Sequence, residues 1–171
     1  YAFNGSQLTT VDIPDSIISI GDGAFDDNQL TSVVIPDSVT SIGSHAFSGN
    51  QLTTVDIGNS VISIGERAFF GNQLTNINIP NNVTSIEDSA FSSNQLISVS
   101  LPDSLTSIGS NAFARNQLTS VVIPDGITSI GANAFKQNQI SSVTIPDSVT
   151  TILGYVFDEE VEINGVPINI V

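Results

Sequence analysis

Few residues in this chain are of a type that could do chemistry. The one histidine, His45, stands just before Ala46 and Phe47, and an imidazole acts as a base only beside an orienting carboxylate and a nucleophile. The same place is filled elsewhere by Gly23, Arg67, Ser89, Asn111 and Asn133, company that predicts an exposed turn. No Ser or Asp departs from a repeated column, and no G-x-S-x-G, phosphate-cradling glycine loop or H-E-x-x-H spacing occurs. The residues are read as non-enzymatic, with no catalytic group and no cofactor.

Two columns of oxygen donors are the remaining candidates. Asp15, Asp37, Asp103, Asp125 and Asp147 each follow a proline, with Asn59 and Asn81 between them. Calcium takes several hard oxygen ligands, but one carboxylate per unit is thin coordination and no D-x-[DN]-x-[DN]-G loop is present. Local side-chain bonds to a turn are the simpler role, and carboxylates one strand apart repel by only about 0.8 kcal/mol in water. Thr40, Thr84, Thr106, Thr128 and Thr150 form a hydroxyl column that could order water. Ile18 and Ile62 interrupt it, and threonine is ordinary on exposed strands.

Charge narrows the partners. Seventeen Asp and Glu against Arg67, Arg115 and Lys136 give a formal net charge of −14, which disfavours nucleic acid and anionic membrane surfaces. Cysteine, methionine and tryptophan are absent, so no disulfide framework, thiolate or soft metal site is expected. No apolar run reaches the roughly 18 to 20 residues of a membrane span, so membrane insertion is not expected. The chain opens inside a unit, at Tyr1-Ala2-Phe3, and earlier repeats and any export signal are expected upstream.

The elements that position these groups repeat. Phe3, Phe25, Phe47, Phe69, Phe91, Phe113, Phe135 and Phe157 recur without insertion or deletion every 22 residues, and a fixed period of that size means stacked coils sharing one core. In residues 30 to 47 the inward set is Leu30, Val33, Ile35, Val39, Ile42, Ala46 and Phe47. Leu30, Val33 and Ile35 have L-x-x-L-x-L spacing, and their β-branched alternation predicts a short strand pairing in parallel with its copies. Proline then ends the ladder, as at Pro14, Pro36 and Pro80, with Gly58 substituting once. The "SVTSIG" segment predicts a second extended side, usually broken by glycine, and "SHAFSGN" predicts one turn of helix over the core edge. Asn28, Asn50, Asn72, Asn94, Asn116 and Asn138 close the unit, either as a buried amide ladder satisfying the backbone or as a surface column.

The pattern L-x-x-V-x-I-P-x-x-V-x-x-I-G-x-x-A-F-x-x-N resembles the BspA-like, or Treponema-type, leucine-rich repeats of bacterial and protist surface proteins. The resemblance implies a repeat solenoid: a β-rich leucine-rich repeat with 22-residue coils, parallel sheets of short strands and one short helical turn per coil. It covers residues 1–160, about seven repeats. Members of that family often carry cysteine where these asparagines stand, so the change removes any redox role. Residues 161–171 are expected to form a C-terminal cap or the start of a following module. Glu162 falls where leucine belongs, and Asn164-Gly165 predicts a two-residue hairpin turn.

Function then falls to the exterior. The outward column between the inward strand positions runs Asp12, Val34, Asp56, Asn78, Ser100, Val122 and Thr144, and it varies where its neighbours do not. Phe70 and Tyr155 are aromatic departures from small or polar columns. The resemblance implies an extracellular or cell-surface location and an adhesion-type role, binding a protein or glycan without catalysis. The alternative is a structural spacer or self-assembling unit that associates end to end.

Overall fold

The computed structural model describes residues 1–165. Each 22-residue unit makes one coil with three sides, and the path from Leu30 to Asn50 shows why. Ser32–Ile35 is a strand whose residues alternate exposed and buried, as a half-buried strand with β-branched inward residues must. Pro36 follows without an N–H, and its carbonyl accepts the Val39 N–H (3.0 Å), which turns the chain. Ser41–Ile42 forms the second side.

That second side is the continuous one. Ser19–Ile20, Ser41–Ile42, Ser63–Ile64, Ser85–Ile86, Ser107–Ile108, Ser129–Ile130 and Thr151–Ile152 form a seven-stranded parallel sheet in chain order. Every pairing joins residues one unit apart, as in Ser63↔Ser85 and Ile64↔Ile86. The first side, expected to pair in parallel with its copies from coil to coil, is in pieces. Ser32–Ile35 pairs with Thr54–Ile57, Ser142–Ile145 pairs with Glu162–Gly165, and a single bridge joins Asn78 to Ser100.

Glycine after the second strand serves close approach, because a β-carbon on Gly65 would come within 2.7 Å of Gly43 C and Ser44 N. The Gly43, Gly65, Gly109 and Gly131 amides therefore bond to the preceding coil at 2.8 to 2.9 Å. Glu87 takes this place once, and its bond to the Ile64 carbonyl stretches to 3.1 Å.

The third side corrects the expected helical turn: the described residues contain no helix. His45 (φ 57°) and Gly49 (φ 63°) are left-handed, as are Arg67 and Gly71, Ser89 and Ser93, and Asn133 and Gln137 in other coils, and two such residues four apart cannot propagate a right-handed helix. The amides alternate instead. Ala46 and Ser48 close tight turns onto the Gly43 and His45 carbonyls, while His45, Phe47 and Gly49 donate to Glu66, Ala68 and Phe70 of the next coil (2.7 to 2.9 Å).

Inside, the phenylalanines stack. Their centroids lie 5.3 to 5.6 Å apart with planes within 13° of parallel, and Phe47, Phe69, Phe91 and Phe113 are fully buried.

The asparagine column is a buried ladder. Asn94 accepts the Leu74 N–H (3.1 Å) and donates to the Phe69 and Phe91 carbonyls (2.9 and 3.1 Å). One amide thus satisfies groups on its own coil and on the one before. Asn50, Asn72 and Asn116 repeat the pattern.

The C-terminal end departs from the expected turn. Asn164 and Gly165 are strand residues opposite Thr144 and Ile145, in parallel pairing. This register joins residues 20 apart rather than 22, so Ile163 rather than Glu162 finds a hydrophobic column, opposite Val143. The expected returning strand, residues 166–170, lies outside the described residues.

Phe91→Ala is expected to lower unfolding free energy by about 3 to 5 kcal/mol, since little can collapse into the vacated rung. Asn94→Ala is expected to cost about 1 to 3 kcal/mol, chiefly because the Leu74 N–H loses its acceptor, while the Phe69 and Phe91 carbonyls keep Asn72 and Asn116 as donors. Urea denaturation with a constant m-value measures both.

Candidate binding faces

The first side presents the outward column predicted from sequence. Asp12, Val34, Asp56, Asn78, Ser100, Val122 and Thr144 are all exposed, Val122 most among its apolar members at 81%. Pairing brings them into lateral contact order: Val34 beside Asp56, Asn78 beside Ser100, and Thr144 beside Asn164. Asn164 therefore extends the column, a place the sequence hid because its last rung is two residues short.

Two further features of this face were missed. Ile97 is 55% exposed where other coils have Thr53, Thr75 and Thr119, a departure visible in the sequence. Beside Val122 the ladder is open, and a shallow groove of about 390 Å³ runs to Thr144, with Asp125 and Pro146 at its rim.

Of the post-proline aspartates, Asp37 makes a bond, accepting the Asn59 backbone N–H of the next coil (2.6 Å) rather than one in its own turn. Asp22 and Asp88 do the same for Ser44 and Ser110 from a neighbouring column (2.8 and 2.6 Å). Among the described residues no group of three or more His, Asp or Glu could hold a metal ion. The threonine hydroxyls donate to the preceding coil, Thr106 to the Thr84 carbonyl (3.0 Å) and Thr128 to that of Thr106 (3.2 Å).

His45 is half-buried rather than exposed, because its turn lies against the next coil through the bond from its N–H to the Glu66 carbonyl. Its imidazole makes no hydrogen bond among the described residues.

The turn side carries the aromatic departures. Phe70 is half-buried with the Arg67 guanidinium 5.7 Å from its centroid. Tyr155 is 73% exposed, with the Lys136 Nζ 5.6 Å from its ring. Among the described residues the only ion pair is Glu66–Arg67, 4.0 Å apart with both side chains about half exposed, a geometry that contributes little to stability.

The model for the BspA type leucine-rich repeat region matches this chain in six copies, over residues 1–117 and 47–164. The chain belongs to that repeat family. No curated protein matches it. Among solved structures it is similar to a leucine-rich repeat protein of Bacteroides ovatus, at 27% identity and a TM-score of 0.63, over 90% of this chain and 50% of that one. A leucine-rich repeat protein of Eubacterium ventriosum matches at 30% identity and a TM-score of 0.56, over 59% of this chain and 27% of that one. The Treponema pallidum leucine-rich repeat protein shares the fold, at 22% identity and a TM-score of 0.56, over 79% and 73%. The chain thus spans half the length of the first of these and about a quarter of the second.

Because the outward column carries no interior contact, Asn78→Lys and Val122→Lys are expected to shift stability by less than about 0.5 kcal/mol each, measured by thermal melting.

Proposed function

We propose that this chain is a non-catalytic interaction module of a secreted or cell-surface protein, holding a protein or glycan ligand along its first side. The observation that carries this reading is the contrast between columns. Interior positions keep one kind of residue from coil to coil, while the seven outward residues change chemistry at one fixed place in each coil. A rigid array of varied side chains is the recognition surface that solenoids offer. Its residues are short, polar or acidic, with Val34, Ile97 and Val122 as apolar points, so binding is spread along the face rather than gathered in one aromatic anchor. Family membership supports the surface location.

A second reading is favoured by the uniform 5.3 to 5.6 Å beat of the phenylalanine stack. Rungs this alike make an even rod, suited to spacing other domains or assembling end to end.

Biolayer interferometry against extracellular proteins and glycans separates the two. The binding reading expects a saturable complex that Asp56→Lys, Asn78→Lys and Val122→Lys together weaken about a hundredfold, equivalent to roughly 2.7 kcal/mol, without a change in melting. No complex with any ligand, together with filaments by light scattering, would establish the spacer instead.

A further inference from the structure

The chain has only three lysines and arginines in 171 residues, and all three line one groove. Arg67, Arg115 and Lys136 meet on the turn side around a shallow depression of about 460 Å³, floored by Ser89, Asn111 and Asn133. In a molecule with a formal charge of −14, its lysine and arginine charge is gathered at one place.

The fold does not require these residues. Arg67 (φ 52°) and Arg115 (φ 57°) occupy left-handed positions, which other coils fill with residues as different as Gly23, His45, Ser89, Asn133, Asp27, Gly49 and Gln137. The turn therefore accepts many side chains and does not call for arginine. Arg115 Nε donates to Gln137 Oε1 (2.9 Å), which fixes the guanidinium and leaves its terminal amino groups free for a planar anion. Neither Arg115 nor Lys136 has an acidic partner among the described residues. Phe70, which lines the groove, lies under the Arg67 guanidinium, and Lys136 stands over the Tyr155 ring just outside the lining.

We propose that this groove binds a carboxylated oligosaccharide. Guanidinium and ammonium groups take the carboxylates, hydroxyls and amides of the floor meet sugar hydroxyls, and the Phe70 ring stacks on a pyranose C–H face. Arg67 and Arg115 stand two coils and four further residues apart, so more than roughly 10 Å at the spacing of parallel strands, which suits sparse charge along a sugar chain. A polyphosphate would meet only three cations on an acidic body. A peptide strand finds no edge, because the amides of His45, Phe47, Gly49 and their counterparts are already bonded to the next coil. The proposal concerns a different face from the outward column, and it stands or falls separately.

Calorimetric titration tests it, with a hyaluronan octasaccharide, sialyllactose, a neutral chito-oligosaccharide and a poly-glutamate peptide as probes. The comparison is with Arg67→Asn/Arg115→Ser/Lys136→Ser, whose residues already stand in equivalent positions as Asn111, Ser93 and Ser92, so melting should hold. Saturable binding of hyaluronan or sialyllactose, weakened about tenfold or more in the variant as charge-assisted bonds are lost, supports the proposal. Hyaluronan alone would indicate an internal uronate, sialyllactose alone a terminal acidic sugar. Phe70→Ser should also weaken binding while leaving its salt dependence unchanged. The assignment is overturned by silence from both carboxylated sugars, by equal binding of the neutral sugar, by binding that survives the triple variant, or by binding of poly-glutamate alone.

Discussion

The molecule depends on one constraint: a coil that turns inward every few residues leaves backbone N–H and C=O groups in the interior, and each needs a partner. The asparagine at the end of each unit supplies it. Its carboxamide both accepts and donates, so a side chain such as Asn72 can take the Leu52 N–H and give to the Phe47 and Phe69 carbonyls at once. No hydrocarbon could do this, and a carboxylate could only accept. The same bonds tie each coil to its predecessor, so local satisfaction and long-range assembly are one event. Dispersion along the phenylalanine column then acts on rungs whose spacing the backbone has already set.

Once the interior is closed in this way, the exterior is released from structural duty. The Val34, Asp56 and Asn78 positions can carry any side chain that tolerates a strand. The turn side also accepts many residues, since its left-handed positions hold His45, Asp27, Ser89 and Gln137 as well as glycine and asparagine. What sets it apart from the acidic remainder is the gathering of Arg67, Arg115 and Lys136 around one groove.

Periodicity made the fold legible, because apolar columns in Leu, Val, Ile, Ala and Phe admit only one way to be buried together. The buried amide ladder was legible as one of two readings, since asparagine at a fixed place in a tight coil has few other uses. The third side was not: "SHAFSGN" has the composition of a helical turn, and nothing in it announces the left-handed backbone at His45. Nor was ladder continuity. "SVVI" at residues 32–35 is a paired strand, while the same four residues at 120–123 are not, so pairing is decided by the neighbouring coil and not by propensity. The turn expected at Asn164-Gly165 failed because pairing with Ser142–Ile145 outweighed local turn chemistry. The candidate column was readable from spacing alone, whereas the cationic groove joins residues from separate units and needed the coil geometry to appear.

Native-state hydrogen exchange at the leucine amides tests the account most directly. The N–H groups of Leu52, Leu74 and Leu96, each donated to the asparagine that closes its coil and that in turn donates to a phenylalanine carbonyl of the coil before, should open only with global unfolding and rank among the slowest in the chain. Exchange of these amides at the rate of exposed turn residues, while the protein remains folded, would contradict the claim that the amide ladder joins the coils.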